Sequence, residues 1–193
     1  MRPARLRTLP ALLLLLAACG PLGKATIEVP ELRLTLPSQR FPAYRGGGVG
    51  NCGPGCLSTD LGYDLGAEVD RLSDPAVDSR LWLEQVDLAL AAGSGTDLRG
   101  LAAVVLSVYP PAGGAPVPIA RYDRPSGAVP TAIAVPTAIA VTGAPGVDLA
   151  RYLDAGVLRV RAELTYDAPT PAFDADVSAR FRLEMELDAS QLL

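Results

Sequence analysis

Two segments near the C-terminus carry the clearest alternation of apolar and polar positions. Leu158, Val160, Ala162, Leu164 and Tyr166 interleave with Arg159, Arg161, Glu163, Thr165 and Asp167. Val177, Ala179, Phe181, Leu183, Met185 and Leu187 interleave with Ser178, Arg180, Arg182, Glu184, Glu186 and Asp188. A period of two sends successive side chains to opposite faces, so each segment predicts a strand that covers a core on one side only. The connection from Ala168 to Asp176 predicts that the two strands form an antiparallel hairpin.

Elsewhere the alternation breaks and resumes in the opposite phase. Thr26 to Leu36 reads as a strand with Ile27 and Val29 in one phase and Leu32, Leu34 and Leu36 in the other. One extra residue at Pro30-Glu31 would restore a single apolar face, as a β-bulge does. Pro30 has no N–H for a ladder, which predicts an edge strand or one that switches sheets. Leu81 to Ala91 repeats the pattern, with Leu81 and Leu83 followed by Val86, Leu88 and Leu90. Leu101 to Tyr109 is apolar on both faces and is predicted to be central. Val117 to Tyr122 is a further short strand.

The remaining stretches are less regular. Residues 37–56, rich in glycine, read as loop. Residues 57–80 are acidic and mixed, with Leu65 to Leu72 fitting two helical turns before Asp74-Pro75. Ala128-Val129-Pro130-Thr131-Ala132-Ile133 recurs as Ala134-Val135-Pro136-Thr137-Ala138-Ile139. The hexapeptides resemble the hexad of a left-handed β-helix, but two copies cannot bury a face alone. They read as a duplication within a strand or its flanking loop, with Pro130 and Pro136 excluding a central strand position and a continuous helix. Asp148 fits the N-cap of a short turn from Leu149 to Leu153, and Gly156 fits the position past its end. Six to eight short strands and little helix predict an all-β, antiparallel β-sandwich with one or two short helical turns. An immunoglobulin-like arrangement fits this pattern, although strand order is not readable from it.

The N-terminus follows a different pattern. Arg2, Arg5 and Arg7 precede ten apolar residues, Leu9 to Ala18. Ten residues at about 1.5 Å each cannot span roughly 30 Å of hydrocarbon, so the segment reads as a secretory signal peptide rather than a transmembrane helix. Leu16-Ala17-Ala18-Cys19 resembles the lipobox of bacterial lipoproteins. The resemblance covers about 20 residues. It implies cleavage before Cys19, a diacylglycerol on the sulfur and acylation, such as palmitate, of the new amine. Two or more chains hold a protein firmly to a bilayer. Gly20 in place of an aspartate retention signal implies the outer membrane. The predicted organisation is a signal peptide at 1–18, an acylated Cys19 with a short tether to 25, and one β-sandwich domain at 26–193.

Cleavage also changes the charge. Seventeen basic residues become 14 against 21 acidic ones, for a mature net charge of −7 over 175 residues. An acidic chain with no basic cluster argues against nucleic acid as a partner. It gives no polybasic help at anionic lipid, so membrane attachment falls to the acyl chains on Cys19. Histidine is absent, which removes a His base, a Ser-His-Asp triad and His metal ligands.

With Cys19 lipidated, Cys52 and Cys56 remain as a pair that an oxidising compartment would join. The spacing is not Cys-x-x-Cys, and two thiolates without further ligands do not complete a zinc site. A redox dithiol and a metal site are the readings weighed against the structural disulfide. The Gly-rich run at 46–48 lacks the features of a P-loop or dinucleotide fingerprint. Asp167, Asp174 and Asp176, with Asp60 and Asp64, are candidate calcium ligands, weighed against ordinary solvated loop charge. Glu184 and Glu186 form a carboxylate pair of the kind glycosidases use, weighed against cross-strand pairing with Arg159 and Arg161. Trp82, the only tryptophan, is either a core residue of one sheet or an exposed anchor.

No constellation here predicts an enzyme or a cofactor. The function expected is a non-enzymatic, membrane-anchored structural or protein-interaction module of the envelope. The alternative is a ligand-binding lipoprotein for a carbohydrate or lipid-like molecule, with or without calcium.

Overall fold

A computed structural model describes residues 24–65, 77–92, 96–125, 138–154 and 156–188. The strands are β1 (Lys24–Phe41), β2 (Val49–Gly50), β3 (Gly53–Pro54), β4 (Cys56–Asp64), β5 (Val77–Leu90) and β6 (Leu101–Val108). They continue with β7 (Val117–Asp123), β8 (Ala138–Gly143), β9 (Leu153–Asp154), β10 (Val157–Tyr166) and β11 (Phe173–Asp188). One 3-10 turn, Leu149–Tyr152, precedes β9. The protein is an all-β, antiparallel sandwich.

Hydrogen bonding runs in the order β1-β11-β5-β8-β7-β6-β10-β4-β3-β2, with β9 on β10. The path folds into two layers where β8 meets β7 through only two residue pairs, Ala120 with Gly143 and Arg121 with Thr142. One layer is β1-β11-β5-β8 and the other is β7-β6-β10-β4. The first strand lies beside the last, which differs from the ABED and CFG sheets of an immunoglobulin domain.

Inward residues fill the space between the layers. Leu158, Val160, Ala162, Leu164 and Tyr166 of β10 are all buried, as are Phe173 through Leu183 at alternate positions of β11. Each fully buried large apolar side chain contributes roughly 1.5–3 kcal/mol. Tyr63 of β4 meets Phe181 of β11 edge-on, ring centroids 6.1 Å apart, joining the layers. The gap at the centre, bounded by Tyr63, Leu83, Leu106, Ile119 and Phe181, is too small for a water molecule.

Both phase reversals are bulges. On β1, Val29 pairs with Leu183 and Leu32 with Phe181, so Pro30 and Glu31 together face Arg182 and the strand carries one extra residue there. On β5, Leu83 pairs with Phe181 and Gln85 with Arg180, so Glu84 is the extra residue. Pro30 lies on an edge strand, where a missing N–H costs no ladder bond. β6 is central, between β7 and β10.

Several expectations require correction. β10 and β11 do not form a hairpin: β10 pairs with β4 and β6, while β11 pairs with β1 and β5. The connection from Ala168 onward crosses between layers instead. Residues 37–56 are not simply loop. β1 continues to Phe41 past a second bulge at Pro37-Ser38, where the Ser38 N–H donates to Asp176 at 2.9 Å and Ser38 takes φ of 49°. Cys56–Asp64, within the segment of mixed pattern, is β4. Asp148 does cap its turn, accepting from the Ala150 N–H at 3.1 Å, but the turn is 3-10 and ends at Tyr152. Gly156, with φ of 83°, serves the connection between β9 and β10 rather than the end of that turn. β8, which no alternation announces, begins at Ala138, inside the second hexapeptide. Most of the duplication, with Pro130 and Pro136, lies outside the described residues, as does Leu72 with the predicted helical turns.

Candidate functional site

Cys52 and Cys56 form a disulfide, with Cα atoms 5.2 Å apart. The surrounding glycines serve this knot. A side chain on Gly50 would drive its Cβ into the Cys56 carbonyl oxygen. The Asn51 side chain accepts from the Ser58 N–H at 2.7 Å and donates to the Ser58 carbonyl at 3.2 Å. The Gly55 carbonyl accepts from the Tyr166 N–H at 2.8 Å. The knot is therefore pinned to β4 and β10. Cys19 lies outside the described residues.

The calcium candidates are not brought together. Asp167 pairs with Arg124, which also donates to the Arg99 carbonyl. Asp174 pairs with Arg40 at 3.0 Å, and Asp176 accepts from Ser38. Asp60 faces Arg161 at 3.7 Å on the other layer. Among the described residues, no group of three or more His, Cys, Asp or Glu is placed to hold a metal.

Glu184 and Glu186 lie on the outer face of β11. Glu184 stands in register between Glu28 and Arg80, and Glu186 between Thr26 and Asp78. The expected pairing with Arg159 and Arg161 does not occur, because those residues belong to the opposite layer. Arg159 pairs with Asp154 at 3.6 Å instead. Trp82 is on the outer face, in register with Arg182, whose guanidinium carbon sits 4.7 Å from the ring centroid. It is not a core residue, and Arg182 covers its ring by a cation–π contact.

A groove that no motif of the chain announces lies on the outer face of β6, β10 and β4. Val160 pairs with Val108, and Arg159 with Gly62. Arg159 and Gly62 therefore stand side by side on β10 and β4, and Tyr109 follows directly after the end of β6. Ser107, Arg161 and Asp60 form the next row. Arg161 lies 5.5 Å from the Tyr109 ring centroid and steadies the ring at the groove's wall. The groove is open, holds about 470 Å³, and is lined by Gly62, Asp60, Tyr109, Arg159 and Val157 among others. A second open groove of about 360 Å³ lies between Asp97-Arg99 and Pro169-Pro171. There the Arg99 side chain hydrogen-bonds Asp97 and holds its carboxyl below the ordinary range.

Two buried phenols are the other unusual groups. Tyr63 and Tyr166 have hydroxyls with no hydrogen-bond partner among the described residues. Burial pushes both well above the ordinary tyrosine value. They lie in the packed interior. Compared with protein families, with curated proteins and with solved structures, the chain matches none of them.

Proposed function

We propose that the protein is a non-enzymatic lipoprotein of the bacterial envelope, held at the outer membrane by acyl chains on Cys19. Its β-sandwich serves there as a structural or protein-interaction module. The observation that carries this reading is Leu16-Ala17-Ala18-Cys19 at the end of a short apolar run. The fold is compatible with it. β1 begins at Lys24, so the tether from Cys19 spans under about 20 Å and would keep the sandwich near the bilayer. No helix among the described residues is long and apolar enough to cross a membrane.

Mass spectrometry of the N-terminal peptide from the native membrane tests the anchor. The peptide is expected to start at a triacylated or diacylated Cys19, and Cys19→Ser to lose the acyl chains. An unmodified N-terminus at another residue would overturn the anchor. Cross-linking the lipidated full-length protein in its own envelope tests the module, with a discrete cross-linked partner as the expected product.

The alternative, a ligand-binding lipoprotein, is favoured by the open groove over Gly62. Among the described residues, the gap at the centre of the sandwich is too small to enclose a lipid-like ligand. The groove on the outer face has room for a small polar one.

A further inference from the structure

Gly62 stands inside β4, where glycine weakens a strand by roughly 0.5–1 kcal/mol relative to alanine. Mid-strand glycines have a short list of structural reasons. A bulge is one, but the pairing of β4 with β10 runs unbroken from Asp64–Val157 to Cys56–Thr165. A left-handed backbone is another, but Gly62 is not among the glycines of positive φ. Close approach of the protein's own backbone is the third. Among the described residues, a Cβ on Gly62 would meet only Val157 Cγ1, at an ordinary 3.8 Å. Among the described residues, the space over Gly62 is therefore left open to a ligand.

The walls of that space define its chemistry. Tyr109 offers an aromatic ring, Val157 an aliphatic edge, and Gly62 a bare floor. Arg159 and Asp60 add donors and acceptors. Their ion pairs, at 3.6 and 3.7 Å, are too long for hydrogen bonds, and their side chains are 74% and 76% exposed. Both groups therefore keep hydrogen-bonding capacity for a ligand. An aromatic ring beside planar polar groups matches a sugar, which presents C–H faces and a fringe of hydroxyls. The local charge favours no anion, because Arg159 and Arg161 are balanced by Asp154 and Asp60. The volume falls within the roughly 300–1,000 Å³ of small-molecule sites.

We infer that the groove formed by Gly62, Tyr109, Arg159 and Asp60 binds a neutral saccharide of one or two rings. This rests on the ligand-binding alternative and needs neither the acyl anchor nor a protein partner.

The test is saturation-transfer NMR on the full-length protein in detergent, with cellobiose, maltose, lactose and chitobiose as probes. Digalacturonate serves as the charged control. Transfer to at least one neutral disaccharide is expected, with affinity falling at least tenfold in Gly62→Val and Tyr109→Ala. Gly62→Val fills the floor with a residue that strands favour, so its melting temperature should match or exceed that of the wild type. Tyr109→Ala supplies the same test should the valine disturb the sheet. Absence of transfer to all four neutral sugars would overturn the inference. So would binding that both variants retain, or preference for digalacturonate. A negative result would leave the acylated Cys19 peptide and the cross-linked partner as separate, unaffected readouts.

Discussion

Tyr63 and Phe181 touch edge-on across the two layers, with ring centroids 6.1 Å apart. Phe181 is 1% exposed and lies opposite both bulges, pairing with Leu32 on one side and Leu83 on the other. Phe181→Ala should therefore destabilise the protein by about 3–5 kcal/mol. Tyr63→Phe should behave differently. It keeps the ring and removes a buried hydroxyl that has no partner among the described residues. Stability is expected to stay level or rise by about 1 kcal/mol. Urea unfolding of the two variants checks both signs, and a loss above about 2 kcal/mol in Tyr63→Phe would mean that the hydroxyl is bonded.

The same phenol makes stability sensitive to alkali. Tyr63 and Tyr166 have folded-state pKa values raised by burial above the ordinary value. The unfolded chain therefore loses these protons first as pH rises. Their contribution is fully present below about pH 10 and falls above it, by about 1.4 kcal/mol per pH unit for each tyrosine. Absorbance titration should show two of the six tyrosines ionising only as the protein unfolds. Ionisation of Tyr63 and Tyr166 near pH 10 with the fold intact would contradict their burial.

The bulges are legible from parity alone. Leu81 and Leu83 cannot share a face with Val86 and Leu88 unless one residue is added between them, and Glu84 is that residue. The partners of β10 and β11 are not legible in the same way. Alternation says which face of a strand is apolar, not which strand lies beside it. β4 is hidden because Gly62 and the flanking acids mask the run Leu57, Thr59, Leu61, Tyr63. The groove is hidden for a related reason: Gly62, Tyr109 and Arg159 lie far apart along the chain and meet only through the pairing of β4, β10 and β6.

Deleting Glu84 tests the parity argument directly. The deletion forces Leu81 and Leu83, which are 0% and 7% exposed, onto the solvent face if the rest of β5 keeps its register. Losing two buried leucines costs about 3–6 kcal/mol. Replacing Glu84 with alanine leaves the count unchanged and should alter stability by under about 1 kcal/mol. Thermal unfolding of both variants separates the residue's presence from its chemistry. Equal losses in the two would mean that the glutamate side chain, not the extra residue, matters.

The disulfide should contribute only modestly to stability. Cys52 and Cys56 are four residues apart. Closing so short a loop removes little freedom from the unfolded chain, worth about 2 kcal/mol by chain entropy. The folded loop is also held without the bond, by Asn51 on Ser58 and by Gly55 on Tyr166. The Cys52→Ala, Cys56→Ala double variant should therefore fold with its strands intact and melt about 4–8 °C lower. Reductant should lower the wild-type melting temperature by a similar amount and leave the variant's unchanged. Thiol counting on protein isolated from its native cells gives the independent check, because two reactive thiols at positions 52 and 56 would mean that the bond does not form there.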